Sequence, residues 1–131
     1  MRFCISFVLC CSLLCLLFAC VSEPKEAPLT IEEVLPGYWE VINATRNGKQ
    51  VPSLENAYFE FDSLGTISTN YSGKQVVTDY KFVDQSIIYQ ESKKENKLDF
   101  KIKSRDTLQL NTIIRKIHNF ELTLLRTEKE E

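Results

Sequence analysis

The segment Lys97-Leu98-Asp99-Phe100-Lys101-Ile102-Lys103 alternates charged and apolar side chains without a break. Successive side chains of a β-strand point to opposite faces of a sheet, so this alternation predicts a strand with one buried face and one face in water. The segment Phe120-Glu121-Leu122-Thr123-Leu124 has the same period. A one-residue slip in pairing would bury the charges of the first segment, so the pattern predicts the register as well as the strand.

The period of two recurs along the chain, and residues typical of turns separate the repeats. It predicts eight strands, at residues 38–45, 58–62, 66–72, 75–83, 86–90, 97–104, 107–113 and 119–127. The predicted turns between them include Asn47-Gly48, Ser72-Gly73 and Glu95-Asn96. Eight short sequential strands favour an all-β, antiparallel up-and-down barrel, because closure removes the exposed edges of a sheet; two packed sheets are the alternative.

A short helical turn is predicted before the first strand. Thr30-Ile31-Glu32-Glu33 fits a capping box, in which Thr30 is the N-cap and the Glu33 side chain reaches back to it. Leu35-Pro36-Gly37 would end this turn and lead into the first strand.

The first 20 residues differ in composition from the rest of the chain. Arg2 precedes an apolar run from Phe3 to Phe18, and this run is shorter than the roughly 20 residues that a membrane-spanning helix needs. One positive charge and a short apolar core are the parts of a secretory signal peptide. All five cysteines of the chain lie in this segment: Cys4, Cys10, Cys11, Cys15 and Cys20.

Leu17-Phe18-Ala19-Cys20 resembles the lipobox of bacterial lipoproteins. The resemblance implies a signal peptide at 1–19, cleavage before Cys20, and lipidation of Cys20 with fatty-acyl chains such as palmitate. Residues 20–29 would then be the lipidated cysteine with its proline-containing linker, and residues 30–131 the barrel domain. The expected location is the bacterial cell envelope, lipid-anchored, with the outer membrane favoured. An ordinary cleaved signal with incidental cysteines is the alternative.

Gly37-Tyr38-Trp39 resembles the G-x-W signature of lipocalins, and Arg126 on the last predicted strand resembles the C-terminal arginine of that family. The resemblance implies a lipocalin-like barrel in which the arginine lies across the tryptophan ring at the closed end. The period of two by itself also places the Arg126 side chain on the inward face of the last predicted strand. A guanidinium there needs an aromatic face and carbonyl oxygens as partners. Gly37, Trp39 and Arg126 are therefore expected to be architectural.

Charge and residue types limit the possible functions. Beyond residue 19, 15 basic and 18 acidic side chains give a mixed surface without the basic stripe that nucleic-acid binding needs. The one histidine, His118, is predicted in a turn and has no cysteine partner in this part of the chain. This pattern predicts no metal site, no cofactor and no enzymatic activity.

Two hypotheses for the function remain, because an eight-stranded barrel is just wide enough to be filled by side chains or to hold one small ligand. In the first, a lipid-anchored binding module holds a small apolar ligand at the open barrel end, with Tyr71 and Tyr80 as ligand-binding residues. In the second, a filled barrel acts as a protein-interaction or envelope-assembly component. The basic stretch from Lys93 to Arg105, interleaved with Glu91, Glu95, Asp99 and Asp106, is either a self-neutralising hairpin or a docking face for an acidic partner or headgroups.

Overall fold

The structure, a computed structural model, describes residues 26–130. These residues form one short helix, α1 (Ile31–Val34), a 3-10 turn (Pro52–Leu54) and nine strands. The strands are β1 (Gly37–Arg46), β2 (Lys49–Gln50), β3 (Tyr58–Phe61), β4 (Thr66–Thr69), β5 (Val76–Val83), β6 (Ser86–Glu91), β7 (Lys94–Ile102), β8 (Thr107–Ile114) and β9 (His118–Thr127). The predicted signal peptide, Cys20 and the first part of the predicted linker lie outside the described residues.

The strands close into a barrel. From β3 to β9 each strand pairs with the next in antiparallel fashion, and β9 returns to pair with β1. β1 completes the closure because it pairs with β3 on one side and with β9 on the other. Trp39 of β1 lies opposite Phe59 of β3 and opposite Arg126 of β9. The predicted eight-stranded, antiparallel up-and-down barrel is thereby confirmed. β2 is a two-residue addition that pairs with the end of β1 across the Asn47-Gly48 turn.

Large side chains fill the barrel interior. Trp39, Phe59 and Ile67 are completely buried. Further along the wall the rings of Phe61, Tyr80, Phe82 and Phe100 follow one another edge to face, with successive centroids 5.3, 5.5 and 6.1 Å apart. Rings in this geometry attract each other beyond the effect of their burial. The interior is therefore a packed core.

The alternating faces of β7 are also as predicted. Leu98 is buried, and Phe100 and Ile102 are partly buried against the core, while Asp99 and Lys101 are exposed. The predicted turn at Glu95-Asn96 is wrong.

The β6–β7 turn lies instead at Ser92-Lys93, so β7 begins at Lys94. The ladder continues beyond the predicted turn because Glu91 pairs with Lys94, and the Gln90 amide donates to Glu95 Oε2 at 3.2 Å. Ser92 adopts the left-handed φ of 55° that the tight turn requires.

β4 is shorter than predicted and ends at Thr69. Side-chain hydrogen bonds replace the ladder at this point. The Thr69 hydroxyl donates to Tyr58 O at 2.6 Å and accepts the Tyr71 N–H at 3.1 Å, and Asn70 Oδ1 accepts the Tyr58 N–H at 2.9 Å. The chain beyond Thr69 therefore leaves the sheet.

The predicted helical turn is present, but the predicted capping box is wrong. Thr30 occupies the N-cap position without a side-chain capping hydrogen bond. The turn is held by the Leu35 N–H, which donates to Ile31 O at 2.8 Å, and by the burial of Ile31, Val34 and Leu35. So short a helix depends on tertiary packing, which here covers one end of the barrel.

Candidate functional site

The end of the barrel that α1 covers is the closed end, and Arg126 ties it together. The guanidinium carbon lies 4.5 Å from the centroid of the Trp39 ring. Nη1 donates to Pro36 O at 2.7 Å and Nη2 donates to Val34 O, while Nε donates to Arg105 O at 3.3 Å. The predicted contact between the Arg126 guanidinium and the Trp39 ring is therefore present.

Gly37 and Trp39 complete the closed end. A Cβ at position 37 would lie 2.5 Å from Nη1 of Arg126, and the Gly37 φ of +137° strongly favours glycine. Trp39 Nε1 donates to Leu35 O at 2.8 Å, so the buried indole has its hydrogen-bond partner. The polar groups of Trp39 and Arg126 are thus engaged in holding the last strand to the turn around α1.

The structure does not bring Tyr71 and Tyr80 into one pocket. The Tyr80 hydroxyl donates to Asp62 O at 3.2 Å, in the turn after β3 at the closed end. Tyr71 lies at the opposite, open end of the barrel, where its ring centroid is 5.6 Å from that of Phe59. It lines a groove of about 560 Å³ between the 3-10 turn and the β4–β5 loop. Burial raises the pKa of Tyr71 to about 12.

Tyr89 is a further inward tyrosine that the sequence pattern missed. It is only 2% exposed, and burial raises the pKa of its phenol, with smaller contributions from Glu91 and Tyr71. Its strand carries Ile87 and Ile88 in succession, so alternation cannot tell which face is buried. The cross-strand pairing of Tyr80 with Tyr89 is the feature that assigns it to the interior.

At the open end the β6–β7 hairpin separates from both of its neighbours. The β5–β6 ladder stops at Tyr80 and Tyr89, and the β7–β8 ladder stops at Asp99 and Asn111, although the strands themselves continue. Grooves of about 460 and 370 Å³ occupy these two gaps. We name the second the β7/β8 cleft; its lining residues are Lys94, Glu95, Asn96, Lys97, Thr112, Ile113, Ile114 and Arg115.

The two ends of the barrel carry opposite charge. The loops and strand ends at the open end, here called the open rim, comprise residues 46–57, 70–75, 91–95 and 114–118. The open rim holds three acidic side chains and seven basic ones, namely Arg46, Lys49, Lys74, Lys93, Lys94, Arg115 and Lys116. The corresponding closed-end segments hold four basic and seven acidic side chains, and they comprise residues 30–37, 62–65, 84–85, 103–106 and 126–130.

Two polar atoms at the open end of the barrel are buried and have no hydrogen-bond partner among residues 26–130. They are Asn96 Nδ2 and His118 Nδ1. Asn96 lies opposite Tyr89 in the β6–β7 ladder and so faces the interior beside the β7/β8 cleft. His118 begins β9 opposite Ile114, so its predicted place in a turn is wrong. A buried polar atom without a partner is unfavourable, which marks this region as one that a polar ligand group would stabilise.

No protein-family model and no curated protein matches the chain. Among the described residues, no helix is long and apolar enough to cross a membrane. Within the same residues, no three or more His, Cys, Asp or Glu side chains are grouped to hold a metal ion.

Proposed function

We propose that the chain is a lipid-anchored β-barrel of the bacterial cell envelope that acts through contacts between its open rim and another envelope protein. The observation that carries this proposal is the packed interior, in which Trp39 and Phe59 are completely buried. A ligand inside the barrel would have to displace these rings. The grooves at the open end, by contrast, are accessible without any change in the core.

The anchor is proposed from the lipobox resemblance at Leu17–Cys20. Among residues 26–130, Leu29 is the first that packs against the core, next to α1 at the closed end. The nine residue steps from Cys20 to Leu29 span about 28 Å at roughly 3.1 Å per residue. Such a short tether favours an orientation with the closed end near the bilayer and the open rim directed away from it.

Metabolic labelling with a clickable palmitate analogue tests the anchor. We expect the labelled band to disappear in Cys20→Ser and to persist in the matched control Cys15→Ser. Label that persists in Cys20→Ser would contradict lipidation at this residue.

Site-specific photocrosslinking in cells tests the interaction. A photoreactive residue at Ile117, which is 66% exposed beside the basic side chains of the open rim, is expected to give a discrete crosslinked product. The control position is Leu64, which is 92% exposed in a closed-end turn and should give none. Equal crosslinking at both positions, or none at Ile117, would contradict an interaction at the open rim.

A small apolar ligand is the second candidate, and the groove beside Tyr71 is the observation that favours it. Leu54 and Ala57 supply apolar surface in this groove. Binding would raise the free energy of unfolding by about 2.7 kcal/mol at a hundredfold excess over Kd. A thermal-shift screen of fatty acids, sterols, haem and aromatic metabolites tests this candidate. It fails if no compound raises the melting temperature, or if Tyr71→Ala leaves an observed shift unchanged.

A further inference from the structure

We propose that the β7/β8 cleft binds an extended, acidic segment of the partner protein, which adds to the free edge of β7 as a further strand. The inference rests on the proposed function and deepens it by naming the docking surface and the chemistry of the partner.

The backbone of β7 provides the first argument. The Phe100 N–H donates to Gln85 O at 3.0 Å, on the β6 side of the strand. Because backbone groups alternate in direction along an antiparallel strand, Glu95 and Lys97 direct their N–H and C=O groups toward the cleft. β8 does not pair with them there, since the β7–β8 ladder has already ended. Such an unpaired edge is a template for strand addition.

The free edge is long enough for a short peptide. It runs from Lys94 to Leu98, which is about 13 Å at roughly 3.3 Å per residue. Four or five residues of an extended partner would therefore lie along it. On the other side of the cleft, the same alternation predicts that Ile113 of β8 directs its backbone N–H and C=O groups toward β7. The Ile113 side chain is 68% exposed at the mouth of the cleft.

Charge decides the chemistry of the occupant. The cleft is lined by the cations Lys94, Lys97 and Arg115 and by a single acid, Glu95. Opposite charges that face each other across paired strands stabilise the pairing, so an added strand with Asp or Glu next to Lys97 is favoured. The excess of basic side chains on the open rim attracts such a segment before it docks.

The buried amide of Asn96 distinguishes a peptide from a flat anionic surface. Its Nδ2 has no partner within residues 26–130 and lies below the cleft. Alternate side chains of an added strand point inward, where a carboxylate or carbonyl oxygen can accept this hydrogen bond. Lipid headgroups on a bilayer surface meet the rim cations but do not enter the gap between two strands.

The test uses the full-length protein in detergent and fluorescein-labelled peptides of ten residues. We expect (Glu-Val)5 to raise its fluorescence anisotropy on titration with the protein. The peptide (Lys-Val)5 has the opposite charge and should not bind. The peptide (Glu-Pro)5 keeps the charge but cannot pair as a strand, because proline lacks an N–H. Binding of (Glu-Pro)5 as tight as that of (Glu-Val)5 would overturn strand addition.

Two matched variants locate the site. Lys97→Glu reverses a charge in the cleft and is expected to weaken binding of (Glu-Val)5 at least tenfold. Lys101→Glu makes the same change on the same face of β7, where Lys101 is already paired with Gln109 of β8, and should change binding less than twofold. Equal effects of the two variants would overturn the assignment to the cleft.

Sedimentation equilibrium tests whether the occupant is a second copy of the chain. Self-association that Lys97→Glu abolishes would overturn the proposal of a partner segment.

Failure of this inference is distinguishable from failure of the proposed function. If crosslinks at Ile117 form in cells but Lys97→Glu does not reduce them, the open rim has a partner that does not use the cleft. If no crosslink forms at Ile117, the proposed function itself fails.

Discussion

Replacing Arg126 with leucine removes the guanidinium that links β9, the Trp39 ring and the carbonyls around α1. The cation–π contact contributes about 1 kcal/mol. Each hydrogen bond to Val34 O and Pro36 O contributes about 1 kcal/mol, since water can partly replace the donor at this partly buried position. The ion pair with Asp106, at 3.7 Å and largely exposed, adds little. We expect Arg126→Leu to lower the free energy of unfolding by about 3 kcal/mol.

Urea denaturation of residues 26–131, followed by Trp39 fluorescence, measures this change. Trp39 is the only tryptophan of the chain, so the signal reports on the ring that Arg126 covers. Arg105→Leu is the control, because its side chain is exposed and its loss should cost no more than about 0.5 kcal/mol. Arg126→Lys keeps the charge without the planar fork and should fall between the two. Equal values for Arg126→Leu and Arg105→Leu would refute the role assigned to this contact.

Three further predictions concern stability. Gly37→Ala should lower the free energy of unfolding by about 2–3 kcal/mol through backbone strain and displacement of Arg126. In a double-mutant cycle with Arg126→Leu, the two losses should be less than additive. Full additivity would contradict the contact between position 37 and Arg126. In urea titration, Leu98→Ala should lower the free energy of unfolding by about 2–4 kcal/mol and Lys101→Ala by about 0.5 kcal/mol or less. Similar losses for the two variants would contradict the assignment of one buried and one exposed face to β7. Because burial raises the pKa of Tyr71 to about 12, the folded state keeps a proton that the unfolded chain loses near pH 10, so stability falls as the pH rises from about 10 to 12. Tyr71→Phe should reduce that slope by up to about 1.4 kcal/mol per pH unit, and an unchanged slope would contradict the burial of this phenol.

The barrel could be predicted from the sequence because the faces of its strands depend on a local period of two. The same period points Tyr71, Tyr80 and Arg126 inward. The period of two determines which face of a strand a side chain occupies but not where along the barrel axis it lies. Tyr71 follows the end of β4 and packs against the core at the open end, whereas Tyr80 lies on β5 toward the closed end.

The open end could not be predicted in the same way. Glu95-Asn96 has the composition of a turn, yet the ladder passes through it because its neighbours find cross-strand partners. The separation of β7 from β8 depends on where these two long strands diverge around the barrel. This position is not determined by any local sequence pattern. The β7/β8 cleft therefore becomes visible only in the structure.

The central claim of a filled barrel that acts through its surface depends on the absence of an interior cavity among residues 26–130. Xenon enters empty apolar cavities of proteins, so a titration followed by the chemical shift of ¹²⁹Xe tests the claim most directly. The account predicts a shift that rises linearly with protein concentration, without saturable binding to the barrel. Saturable binding of xenon, with chemical-shift changes at Phe59 and Tyr89 in the protein spectrum, would contradict it and support a ligand held inside the barrel.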